Sequence, residues 1–132
     1  FGLPGFDGKL LINARAETAA QKPAFAESLR ERRIVLPACG FFEWSRDARK
    51  TKYLFSPESG ACAMYLCGLF TIYDGMRRFA ILTRDANESV APIHHRMPVI
   101  IGEDEVRAYL TDGTAAAEML ATASPALVFA KA

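Results

Sequence analysis

A chain of 132 residues, 51% hydrophobic and 23% charged, has the size and apolar content of one globular domain with its own core. Its formal net charge of +1 excludes a global field directed at nucleic acid or a membrane surface, so any anion site must rest on local clusters of Arg and Lys. No apolar run approaches the roughly 20 residues that span a bilayer, and the opening FGLPGFDGKLL lacks the basic stretch of a signal peptide.

In chain order, FGLP followed by GFDG reads as a strand end and a turn. KLLIN, Lys9–Asn13, predicts a short strand. Pro23, Phe25 and Leu29 predict a helix over Pro23–Arg32, with Pro in the first turn, where a missing N–H costs little. IVLPACGFFEWSR is an extended segment broken by Pro37 and Gly40. TKYLFSP is a strand closed by the turn SPESG. ACAMYLCGLFTIY reads as a buried strand, Asp74–Gly75 as a hairpin turn, and MRRFAILT as the returning partner. RDANESVAPIH predicts a helical turn capped by Asp85. MPVII is a further strand, EDEVRAYL and GTAAAEMLAT are amphipathic helices, and ALVFAKA closes the sheet. The sum is an α+β domain: a mostly antiparallel, barrel-like sheet of five to seven short strands with about three short helices.

Glu43 stands among Cys39, Phe41, Phe42 and Trp44. A carboxyl group against aromatic rings loses hydration and its pKa rises, which suits a proton shuttle near neutral pH. Strand alternation offers a second reading, with Phe42 and Trp44 turned inward and Glu43 outward. PIHHRMP holds both histidines of the chain. On an extended segment they point to opposite sides, so one of them serves a given pocket, and they are poorly placed to share a metal. A neutral His beside an Arg suits acid–base work or oxyanion stabilisation, and a surface turn is the competing reading.

In NARAET, alternation puts Asn13, Arg15 and Glu17 on one face, as a hydrogen-bonded network or a mixed-charge edge. RERR lies at a helix end, where cations suit the dipole. SRDARKTK, beside Trp44, is either a solvated loop or a single-strand-binding surface. The three cysteines, Cys39, Cys62 and Cys67, match no zinc or thioredoxin-like spacing. They read as small core residues in a reducing cytoplasm, with a thiol hydrolase built on Cys39 and His94 as an alternative.

Taken in order, GLP (Gly2–Pro4), INARAET (Ile12–Thr18), LPACGFFEW (Leu36–Trp44), CGLF (Cys67–Phe70), ILTRDAN (Ile81–Asn87) and IHHRMPVII (Ile93–Ile101) resemble the SOS-response-associated peptidase (SRAP) family. Its members act on abasic sites in single-stranded DNA. The resemblance implies capture of the ring-opened aldehyde as a thiazolidine by an N-terminal cysteine, exposed when the initiator Met is removed. It implies a catalytic set of Asn13, holding the terminal amine, Glu43, moving protons, and His94, near the sugar oxygen. It implies DNA contacts from Arg15 and Arg96 to flanking phosphates and from Trp44 to stacked bases, with Glu43 and Trp44 on one wall. No metal or cofactor is implied, and the expected place is the cytoplasm, at the nucleoid during repair.

Phe1 stands where the family has tryptophan, downstream of the cysteine. Residues 1–132 are therefore expected to form one SRAP-like domain that is N-terminally incomplete. By itself it would form no thiazolidine, and an open sheet edge would invite pairing with another chain. A non-catalytic module that binds single-stranded DNA is the alternative function.

Overall fold

The computed structural model describes residues 1–5 and 8–132. The turn expected over GFDG falls partly on Phe6 and Asp7, outside the described residues. A two-stranded ribbon pairs β1 (Leu3–Pro4) with β2 (Leu10–Leu11). The main sheet holds β3 (Asn13–Arg15), β4 (Arg33–Ala38), β7 (Met64–Tyr73), β8 (Met76–Asp85), β9 (Arg96–Pro98) and β10 (Ile100–Ile101). A three-stranded sheet runs in the order β11 (Leu127–Lys131), β6 (Lys52–Pro57), β5 (Phe41–Trp44). The helices are α1 (Ala16–Ala19), α2 (Ala26–Glu31), α3 (Val106–Thr111), entered through a 3-10 turn at Glu103–Glu105, and α4 (Gly113–Ala121). The expected α+β class holds: the sheets are antiparallel except for β3, which runs parallel to β8, and they curl into a half-barrel. No helix among the described residues is long and apolar enough to cross a membrane.

The near-continuous apolar run of β7 follows from burial on both faces. Met64 and Leu66 enter a core with Phe55, Val90, Met97, Ile100 and Leu127. Cys67 and Leu69 enter another with Ala80, Leu82, Val99, Ile101 and Tyr109. The segment 96–101 serves both neighbours. Its first half pairs with β8 and its second with β7, and Val99 links them by donating to Leu82 O and accepting from Cys67 N. Asp74 and Gly75 both have positive φ, 49° and 71°, as a two-residue type I′ hairpin requires.

Three expectations are corrected. α1 replaces the extended continuation of NARAET, so Glu17 leaves the strand that carries Asn13 and Arg15. The turn after β8 is capped by Asn87, whose Oδ1 accepts from Ser89 N and Oγ; Asp85 is still the last residue of β8. Of the cysteines only Cys67 is buried, and burial pushes its thiol up to about 12. Cys39 and Cys62 are exposed.

Candidate functional site

Glu43 is placed by its strand pairing. β5 runs antiparallel to β6, with Phe41 opposite Phe55 and Glu43 opposite Tyr53. Phe41 stacks on the buried ring of Phe55, centroids 5.1 Å apart, so Phe41 and Glu43 share the inward side. Gly40 permits this approach, because a Cβ there would run into the Phe55 carbonyl oxygen. Phe42 and Trp44 point the other way and are 47% and 49% exposed, with the Lys52 ammonium 3.9 Å above the Phe42 ring. The alternation reading had the right period and the wrong phase. The expectation of one shared wall is also corrected, since Trp44 and Glu43 lie on opposite faces of β5.

The inward carboxylate meets His94. Nδ1 of His94 lies 3.8 Å from Glu43 Oε1, and desolvation raises the Glu43 pKa against the opposing pull of His94 and of the Trp44 N–H. The imidazole is held by backbone. When neutral at Nδ1 it accepts from Arg96 N at 3.2 Å. When protonated there it can donate to the Arg96 carbonyl at 3.0 Å. The pair is thus a half-buried acid beside a base whose ring position is set, which suits movement of a single proton. Nothing among the described residues joins Cys39 to His94 by a hydrogen bond, and Cys39 is exposed.

PIHHRMP is not extended over the histidines. The backbone turns there, with His94 N donating to Val90 O, and the two rings lie 4.6 Å apart. His95 therefore borders the same region. Its pKa is lowered by partial desolvation and by the positive charges of Arg46, His94, Arg96 and Arg15. This puts Arg15 and Arg46 within electrostatic reach of the histidine pair. Ala14 is buried between Asn13 and Arg15, which are both exposed on β3. No hydrogen bond among the described residues links Asn13 to Glu43 or His94.

Arg96 is a brace. Its guanidinium donates to both Glu17 oxygens at 2.8 and 2.9 Å, to Asp85 Oδ1 at 2.7 Å and to the Thr83 carbonyl at 2.8 Å. It ties α1 to the end of β8, and a phosphate would have to compete with two internal carboxylates. The Arg96 hydrogen bond holds the Glu17 carboxyl at about 2, well below its usual range. Because that pKa is depressed in the folded state, its contribution is present above the unfolded value and lost as pH falls from about 4.5 toward 2. Glu17 is 43% exposed, so solvent screening limits the effect to about 1 kcal/mol. Urea midpoints should fall over that window in the parent and fall less in Glu17→Gln; equal acid sensitivity would reject the brace.

The sequence reading missed the Glu17–Arg96–Asp85 cluster, since it joins three segments with no shared spacing. It also missed His95, set aside because an extended backbone was assumed.

The comparisons with known proteins agree with one another. The profile of the family described as SOS response associated peptidase (SRAP) matches residues 5–129. The abasic site processing protein YoaM of Bacillus subtilis (strain 168) is 36% identical over 109 residues, covering 78% of this chain and 48% of that protein. YedK of Escherichia coli (strain K12), also named an abasic site processing protein, is 29% identical over 112 residues, covering 81% and 50%. A crystal structure of a protein from Bacteroides thetaiotaomicron superposes with a TM-score of 0.76 at 26% identity, covering 90% of this chain and 57% of that one. The chain thus spans about half the length of the curated relatives it matches.

Proposed function

The chain belongs to the SOS response associated peptidase (SRAP) family, and from that premise we propose that it carries the acid–base and strand-binding part of a protein that processes abasic sites in DNA. The observation that supports this most is the desolvated Glu43 carboxyl 3.8 Å from His94. Residues 1–132 act as one SRAP-like domain, working in the cytoplasm and at the nucleoid during repair.

The reaction is the condensation of an aminothiol with an aldehyde. The α-amine of an N-terminal cysteine, held by Asn13, attacks the aldehyde carbon of the ring-opened abasic deoxyribose. Glu43 gives a proton to the departing hydroxyl and takes one back from the nitrogen, so that water leaves as the neutral Schiff base forms. The thiol sulfur then adds to the imine carbon, its proton passing to the nitrogen, and a thiazolidine results. His94 supports the sugar oxygen and Arg15 faces a phosphate, while Arg96, engaged by Glu17 and Asp85, holds α1 against the end of β8, and Trp44 is left to bases that pass the outer face of β5. Reversal and removal of the initiator Met use the same carboxyl to move protons. Cys39, Cys62 and Cys67 are internal residues and offer no α-amino thiol, so none of them is the nucleophile of this reaction.

The test is incubation of the protein bearing a Met-Cys start with single-stranded DNA that contains one abasic site. A denaturation-resistant adduct is expected, and Cys→Ala at the terminus should abolish it. Absence of adduct, or full yield from the 132 residues without that cysteine, would overturn the proposal.

A further inference from the structure

A recess of about 340 Å³ opens beside the Glu43–His94 pair. It is lined by Ser45, Arg46, Tyr53, Pro92 and His95, with Asp47 at its edge. Tyr53 is the strand partner of Glu43, so the recess continues the same face of the three-stranded sheet. Its two sides are braced independently. In the β5–β6 connection, Ser45 N donates to Thr51 O at 2.8 Å, Thr51 N donates to Ser45 Oγ at 2.9 Å, and Ser45 Oγ donates to Asp47 Oδ1 at 2.6 Å. Across the recess, Ala86 N donates to His95 O at 3.0 Å. Arg46 and His95 are thus presented from two separately held segments, and both are exposed.

We propose that this recess is a phosphodiester subsite for single-stranded DNA, in which Arg46 and His95 hold one backbone phosphate next to the reaction centre. It rests on the SRAP reading in one respect: that a single strand passes Glu43 and His94. The groups that bear on His95 come from every element around it. His94 and Arg96 lie on its own segment, Arg46 and Asp47 on the β5–β6 connection and Arg15 on β3. Glu43 acts through His94, and Glu17 and Asp85 offset Arg96. Asp47 is engaged by Ser45. With Arg96 bound to its own carboxylates, Arg15 and Arg46 make no ion pair among the described residues. Partial desolvation, and after it the surrounding cations, disfavour the protonated form of His95 in the free protein. A phosphate in the recess sets an anion against the imidazole and offsets those cations, so binding takes up a proton at His95 and affinity rises as pH falls.

The experiment is binding of an undamaged oligo-dT to the parent, Arg46→Gln and His95→Gln chains. Salt dependence is measured at pH 5.5 and pH 8, and proton uptake by calorimetry in two buffers of different ionisation enthalpy. Each phosphate neutralised on a single strand contributes a slope of about −0.7 in log K against log salt. Arg46→Gln should reduce the magnitude of the slope by about 0.7 at pH 8, where Arg46 is the charged partner of the phosphate, and by less at pH 5.5, where protonated His95 still faces the same phosphate. His95→Gln should weaken binding at pH 5.5, leave affinity and slope unchanged at pH 8, and abolish the proton uptake of the parent. Parent-like slopes and uptake in both variants, with binding intact, would overturn the subsite and leave the SRAP reading standing. No binding by the parent chain at low salt would remove both. Equal proton uptake with inorganic phosphate at the same ionic strength would assign the recess to free phosphate and overturn its role for the strand.

Discussion

Glu43→Gln in the protein that carries the N-terminal cysteine is expected to slow adduct formation and reversal about 10²- to 10⁴-fold, the usual loss when a positioned general acid or base is removed. Gln keeps the shape and the hydrogen-bonding reach of the side chain and cannot exchange the proton. The half-buried carboxyl, with its raised pKa, holds a proton to higher pH than a solvated Glu and so can give one to a departing hydroxyl. The stability readout has the opposite sign. A carboxyl whose folded pKa is raised binds more protons folded than unfolded, so stability declines as pH rises through that range. Removing it should leave thermal stability at neutral pH equal or higher. A slow variant with an undiminished Tm places the loss in chemistry. An adduct rate within a factor of about three of the parent would remove Glu43 from the reaction.

Phe55→Ala is expected to cost about 3–5 kcal/mol in urea unfolding, the range for deleting a fully buried aromatic side chain. Phe55 is 0% exposed and sits on β6, the central strand of its sheet, opposite Phe41 on one side and Phe129 on the other. It stacks with the first at 5.1 Å and tilts against the second at 5.6 Å. Its loss therefore removes the surface that turns Phe41 inward, and with Phe41 the phase of β5. The substitution should lower adduct rate as well as stability, because the strand that carries Glu43 pairs, among the described residues, with β6 only. Phe129→Ala, on the partly exposed partner, should cost less. A loss under about 1 kcal/mol at Phe55 would mean that the cavity collapses freely and that the β5–β6 pairing does not depend on this ring.

Elements whose cause is local were legible in the chain. Asp74–Gly75 announces its hairpin because both positions need positive φ. The 61–73 run announces a doubly buried strand, and β7 feeds both cores. The ordered motifs named the family, and Glu43 and His94, two of the residues that the resemblance singled out, lie 3.8 Å apart. Elements whose cause is remote were not legible. Short helix α1 depends on Glu17 being drawn to Arg96, 79 positions away. The exposure of Cys39 and Cys62 depends on which side of each segment the cores occupy.

From residue types and their periods alone came the α+β class and the main strands, while the grouping of Glu43 with His94 came from the family resemblance. A period of two says that neighbours face opposite ways and leaves open which of them faces in. That choice was made by contacts between segments: Phe41 on Phe55, Gly40 beneath a carbonyl oxygen, and Arg96 between two carboxylates. Side-chain direction is a relation between strands, and it exists only once they have paired.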